Sequence, residues 1–373
     1  MDISRIDKNF AAKVADENGF IFYDVKESPF VIEGLAWFKE NNQSYYRLPE
    51  TMTEKEINAG ALELAHNTAG VCVRFRSDST SLMIRSKLVH TNEMNHMPRT
   101  GSSGFDSLCK MPKKNLRYNR TVQPNLGETD ILADIGDNPE GQLCDWIINF
   151  PLYGGVEKVE IGIKADSKLL APKKHKTPYP ILFYGSSITQ GGCASRPANC
   201  YSSMLCREVD AEQINLGFSG SGKGEIAVAE AIASLKLSAL VFDYDHNAPD
   251  EKHLQSTHEP FFQIIRKAQP DLPVIFMSKC DFYKNDKIHM ESNARRRKII
   301  FTTYENALKN GDKNVYFIDG ETMFGKDHPD LCTVDGCHPN DLGFYRMYKT
   351  ILPVLKQVLE NSNNKTSNFT KKT

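Results

Sequence analysis

The sequence predicts a β-sandwich over residues 1–170 followed by a doubly wound parallel α/β sheet over residues 179–360. Three observations predict it. Apolar residues alternate at period two in the first half. Apolar strand-like runs alternate with helix-like segments in the second half. A polar, proline-marked connector lies between them. A chain of 373 residues is also too long for one core and suits two domains.

In the first half, residues 71–76 put Val71, Val73 and Phe75 on one face. Residues 82–85 continue the pattern after the turn-like Ser77-Asp78-Ser79. Val159, Ile161 and Ile163 alternate with Glu160 and Lys164. Period-two alternation reads as half-buried antiparallel strands, and the single helical segment expected here runs from Glu54 to Glu63. Such a strand-rich stretch makes a sandwich, jelly-roll-like in kind.

Residues 166–180, from Asp166 to Pro180, form the connector. Strand-like runs then occur at 181–184, 213–218, 238–244, 273–277 and 315–318. Helix-like segments lie near 199–209, 222–235, 259–269, 291–310 and 341–359. Five such units fit a flavodoxin-like domain with helices on both faces of a parallel sheet. The tail 361–373 is Asn, Ser, Lys and Thr around Phe369 and is expected to be disordered.

Composition excludes several classes. With 46 basic and 47 acidic residues, the chain offers no field for nucleic acid or anionic lipid. Arg295, Arg296 and Arg297 point in different directions on a helix and read as a solvated face. No apolar run is long enough to span a membrane. The charged start, MDISRIDKNF, does not read as a secretory signal. Nine cysteines without a CxxC pair read as reduced, mostly buried thiols in a cytoplasmic protein, so the sequons at Asn364 and Asn368 carry no weight.

In an open parallel sheet the strands' exit loops converge on one crevice. The first strand exits into Gly185-Ser186-Ser187-Ile188-Thr189-Gln190-Gly191, a tight turn that holds a hydroxyl near a helix start. The second exits into the glycine-rich 215–224 loop. Gly217 to Lys223 approaches a phosphate loop, but Gly224 stands where Mg²⁺ needs a hydroxyl, so the loop's N–H groups suit an oxyanion better. The third exit carries His246, a supporting residue, and Asn247, a side-chain donor that read alone is a turn residue. After the fifth strand comes Asp335-Gly336-Cys337-His338. A carboxylate three residues before an imidazole, across a glycine turn, can reach its second ring nitrogen. Asp327-His328 is read as a surface turn and Cys337 as a structural thiol. Taken in order, these loops supply a nucleophile, oxyanion donors and an oriented base.

Those four segments resemble the SGNH (GDSL-like) hydrolase superfamily over roughly residues 179–360. GSSITQG matches the nucleophile block with Ser187 as nucleophile. NLGFSG puts Gly220 at the oxyanion position, DYDHN puts Asn247 there too, and DGCHP matches the block of Asp335 and His338. The residue before the nucleophile, usually Asp, is Ser186. YYRLP, HNTAGVCVRFRSDS and NHMPRTGSSGFDS resemble the β-rich GxDLY domain that precedes some of these hydrolases, although the Leu-Tyr pair is replaced by Ser107-Leu108. The loop from His90 to Asp106 is polar and rich in Met and Gly; it is read as a solvated sandwich loop, the alternative being a loop that leans over the crevice.

The resemblance implies a serine esterase acting on short acyl esters, acetyl above all, on small-molecule or oligosaccharide alcohols. Ser187, His338 and Asp335 would form the triad, with an oxyanion hole of Ser187, Gly220 and Asn247. An acyltransferase using the same triad and a catalytically decayed carbohydrate-binding protein are the alternatives. No cofactor, metal, nucleic acid or membrane is expected, and the oligomeric state stays open, a homo-oligomer included.

Overall fold

The computed structural model describes residues 14–280 and 286–370, with side chains described as far as Asn361. Ten strands build the first part: β1 (Phe20–Asp24), β2 (Val31–Glu33), β3 (Cys72–Ser77), β4 (Ser81–His90), β5 (Phe105–Lys110), β6 (Arg117–Val122), β7 (Asp130–Asp137), β8 (Cys144–Asn149), β9 (Gly155–Lys164) and β10 (Leu169–Leu170). One antiparallel sheet runs β1-β9-β4-β7. The other runs β10-β3-β8-β5-β6, with β2 also paired to β3. Inward residues follow the predicted alternation. Val73, Phe75, Trp146 and Ile148 of one sheet share a core with Leu82, Ile84, Ile161 and Ile163 of the other. The helix expected at 54–63 is shorter: α1 (Ala59–Leu64) starts where the Asn58 side chain accepts from the Ala61 N–H. A single turn, α2 (Arg99–Ser102), sits in the β4–β5 connection.

The second part carries β11 (Ile181–Gly185), β12 (Gln213–Gly217), β13 (Ala239–Asp243), β14 (Val274–Met277) and β15 (Val315–Ile318) in one parallel sheet of order β12-β11-β13-β14-β15. Its helices are α3 (Ser187–Gln190), α4 (Tyr201–Val209), α5 (Ile226–Ala233), α6 (Glu251–Ala268), α7 (Lys287–Lys309) and α8 (Asp341–Thr370). Strands β11 to β14 are buried at every position, and mostly apolar, because both faces are covered. Leu182, Tyr184, Leu240 and Phe242 pack with residues of α5, α6 and α7. Ile181, Phe183, Ala239 and Val241 pack with residues of α4 and α8.

Two expected helix extents are corrected. Helix α6 begins at Glu251, not 259, because Asp250 caps it by accepting from the His253 N–H at 2.7 Å, and Pro260 lies inside it. Helix α8 continues to Thr370, so the tail expected to be disordered from Asn361 is helical that far. The helix contains Pro353, but no Gly or Pro lies in residues 361–370, and extending an anchored helix is easier than nucleating one. Residues 371–373 lie outside the described residues. The first part has its own core between its two sheets, but it also lends residues to both cores of the second. Trp37, Tyr46, Leu48, Ile57, Ala61 and Ala65 belong to the core under one face of the parallel sheet. Ala69, Met97, Leu152 and Tyr153 belong to the core under the other.

Among the described residues no disulfide joins the cysteines, and seven of the nine are buried. Among the described residues, no helix is long and apolar enough to cross a membrane.

Candidate active site

Strand β11 ends at Gly185, whose neighbours in register are Gly217 of β12 and Asp243 of β13. Glycine is needed at both positions. A side-chain carbon at Gly185 would run into Thr189 and the Asp243 carbonyl, and one at Gly217 into the Gln190 backbone. This close approach lets α3 rise steeply from the sheet. Its N-cap is Ser186, whose Oγ accepts from the Ile188 N–H at 3.2 Å, while Thr189 Oγ1 accepts from the Ser186 N–H at 3.2 Å. The serine in place of aspartate therefore still caps the turn. The carboxylate nearby is Asp243, which accepts from Thr189 Oγ1 at 3.2 Å and from the Tyr201 hydroxyl at 3.1 Å. Burial pushes its carboxyl up to about 7, although both donors pull it down.

Ser187 is the first residue of α3, and its Oγ lies 2.9 Å from His338 Nε2. Asp335 Oδ2 lies 2.7 Å from His338 Nδ1. Asp335 Oδ1 accepts the backbone N–H groups of Cys337 at 2.9 Å and His338 at 2.7 Å. Partial burial alone would raise this carboxyl. The His338 backbone and ring, together with the Cys337 N–H, outweigh it and hold the group down to about 2. The carboxylate therefore stays ionised and keeps the proton on Nδ1, leaving Nε2 free to accept from Ser187.

The other predicted residues gather around this line. The N–H groups of Ser187 and Gly220 have no hydrogen-bond partner among the described residues. Gly220 is left-handed, with φ +66°, and has open space around it. Asn247 Nδ2 donates to the Phe218 carbonyl at 2.7 Å, which ties the third exit loop to the second and leaves one amide hydrogen over. The phosphate-loop reading of 217–223 meets a carboxylate instead. Glu225, the N-cap residue of α5, accepts from the Lys223 N–H, and the Gly224 N–H donates to the Tyr184 hydroxyl.

His246 is held neutral by burial and by the positive charge of Lys279. Its Nδ1 lies 3.9 Å from Cys337 Sγ, so that thiol faces His246 and not His338. Burial holds the Cys337 thiol up. Asp327 and His328 are exposed, as expected of a surface turn. The arginine triplet is not a uniformly solvated face. Arg296 is buried and donates to Asp245 Oδ1 at 2.7 Å and to the Ala248 carbonyl at 2.9 Å, which anchors the segment that carries Asn247. Nothing in three adjacent arginines tells which one turns inward.

The loop after β4 is not simply solvated. The His96 ring lies 5.4 Å from the His338 ring, and His96, Asp335 and His338 bring their ligand atoms within 4.8 Å of one another. Two of those three are already hydrogen-bonded to each other. The first part reaches the site elsewhere too. Tyr153 donates to the Ser187 carbonyl at 3.3 Å. Buried Asp106 accepts from Arg196 Nη1 and the Ala198 N–H, both at 2.9 Å, and so holds the segment beyond α3. His96 and Asp106 lie in a segment singled out in the sequence and Tyr153 does not, and only contacts distant in sequence give all three their roles. A hollow of about 400 Å³ between the carboxyl ends of α6 and α7 lies at the opposite, amino-terminal edge of the sheet.

A family model for the GDSL-like lipase/acylhydrolase family matches residues 178–356, and a model for the GxDLY N-terminus of SGNH-hydrolase-type esterases matches residues 20–169. Among solved structures, the chain is similar to a GDSL-like lipase from Bacteroides ovatus. The identity is 28% and the TM-score 0.81, over 91% of this chain and 98% of the other. It also shares its fold with a salicylyl-acyltransferase from a tetracycline biosynthetic pathway, at 18% identity and TM-score 0.72, over 90% and 96%. An acetyl xylan esterase from Butyrivibrio proteoclasticus shares the fold at 12% identity and TM-score 0.57, over 91% and 99%. A comparison with curated proteins finds no match.

Proposed function

We propose, for a chain that belongs to the GDSL-like lipase/acylhydrolase family and is a carboxylic ester hydrolase, that Ser187, His338 and Asp335 cleave short acyl esters of carbohydrate hydroxyls. The observation that carries this is the continuous line from Ser187 Oγ through His338 to Asp335, with contacts of 2.9 and 2.7 Å. Ser187 Oγ attacks the ester carbonyl while its proton passes to His338 Nε2. The N–H groups of Ser187 and Gly220 and the Asn247 amide receive the oxyanion. His338 then protonates the departing alcohol, leaving an acyl group on Ser187. Water, deprotonated by the same nitrogen, releases the acid and restores the serine. Asp335 stays ionised throughout and balances the imidazolium.

The short acyl group and sugar alcohol are supported by the carbohydrate esterases among proteins of this fold, one named an acetyl xylan esterase and one solved with cellohexaose. The division into an N-terminal β part and a hydrolase part near residues 171–180 belongs to the same reading.

The test is Ser187→Ala. Turnover of 4-nitrophenyl acetate should fall by about 10⁵-fold or more, because the triad acts as a unit. Covalent labelling by a fluorophosphonate should vanish. Undiminished turnover or labelling refutes the assignment. Mass spectrometry of acetylated oligosaccharides then identifies the ester, and product seen only with an added sugar acceptor turns the reading to acyl transfer.

A further inference from the structure

The glycine loop thought to hold the oxyanion hangs from an edge strand. Strand β12 is outermost in the parallel sheet, so one side of its backbone has no strand partner. Arg47, from the first part of the chain, fills that place. Its Nη1 donates to the Asn215 carbonyl at 2.9 Å and the Gly217 carbonyl at 2.8 Å. Its Nε donates to the Asn67 carbonyl at 2.7 Å and its Nη2 to the Leu64 carbonyl at 2.8 Å. The guanidinium also lies over the Phe218 ring, 4.7 Å from its centroid. Arg47 has no exposed surface.

Every one of these hydrogen bonds ends on a backbone carbonyl. Burying a cation with only carbonyl dipoles around it is costly, and an apolar side chain could fill the same space more cheaply. Burial does pull the guanidinium down to about 9, so it is still a cation at neutral pH. The four carbonyls need a planar, five-donor group, which lysine does not supply. The place where this charge is held is informative. Gly217 ends β12, Phe218 accepts from Asn247, and Gly220 follows two residues later. One further contact braces the same loop, and another holds the neighbouring nucleophile turn. Gln190 accepts from the Ser219 N–H at 2.9 Å and donates to the Leu152 carbonyl at 3.1 Å. Buried Tyr153 bonds to the carbonyl of Ser187.

We propose that Arg47 is a positioning residue for the oxyanion loop, which makes the N-terminal β part a working component of the active site. The role rests on the ester-hydrolase reading of Ser187. Arg47 touches no reacting atom. It fixes where β12 ends and hence where the Gly220 N–H points.

The experiment uses the full chain with Arg47→Lys and Arg47→Ala. Kinetics with 4-nitrophenyl acetate are read beside thermal melting. The wild type comes first: if it neither hydrolyses the ester nor takes fluorophosphonate on Ser187, the reading beneath falls and the role with it. With an active wild type, both variants should keep KM within about threefold and lose about 10- to 100-fold in kcat, as expected for a misplaced oxyanion donor. Guanidinium ion at low, non-denaturing concentration should restore part of the kcat of Arg47→Ala, whereas urea and sodium chloride should not. That rescue separates positioning from mere stability. Wild-type kcat in a folded variant overturns the proposal, as does a loss that only follows the folded fraction and ignores guanidinium. If Arg47→Ala does not fold, Arg47→Lys decides by the same kcat criterion. Failure of both to fold assigns Arg47 to stability alone and overturns it.

Discussion

Asp335 and Asp243 sit near the same serine and are driven in opposite directions by their surroundings. Asp335 accepts hydrogen bonds and is held down to about 2, so it contributes stability above the ordinary carboxylate range that is lost as pH falls through about 2. Asp243 is buried and raised to about 7. Its folded form keeps a proton that the unfolded chain has released, so its contribution is full at acid pH and lost as pH rises through about 7. Asp243→Asn keeps acceptors for Thr189 and Tyr201 without the charge. Its melting temperature should therefore fall less than that of the wild type between about pH 5 and pH 9. Parallel melting curves across that range would show that Asp243 does not titrate. None of this is visible in a sequence, where one aspartate ends a strand and the other lies in a turn.

The elements that matter at the site are four loops, and the first three are tied to one another as well as to the sheet. Asn247 bonds the glycine loop through Phe218, and Arg296 holds the turn behind it. Asn247→Ala should lower kcat by about 10²- to 10³-fold, some 3 kcal/mol of barrier, with KM changed little. Stopped-flow inactivation by a fluorophosphonate should slow in parallel, since phosphonylation also uses the oxyanion donors. A normal kcat would remove Asn247 from the oxyanion hole. At this scale the sequence is largely legible. Strand runs, glycine turns and the order of the loops are local signals, and each predicted parallel strand is present. Element ends were less legible where a single cap decides them, as Asp250 does for α6.

Taken whole, the molecule is one packing problem and not two. Trp37, Tyr46, Leu48 and Ile57 from the first part are buried in the core of the second. Burying each is worth roughly 1.5–3 kcal/mol. Together they rival the about 5–15 kcal/mol of a typical native state. A fragment holding residues 178–373 should therefore fail to show a cooperative thermal transition and should bind a hydrophobic dye. A sharp melt with wild-type esterase turnover would show that the second part stands alone.

By itself the sequence determined the strand periods, the switch from antiparallel to parallel architecture, and which loops share an edge, because these follow from local patterning and the geometry of an open sheet. It also singled out Ser187, Asp335 and His338, whose chemistry is written in short segments. Only the tertiary structure decided that Arg47, Tyr153, His96 and Asp106 reach the site, and that Arg296 and Asp243 are buried. Their partners lie far away in sequence, and burial arises only when distant surfaces close on one another.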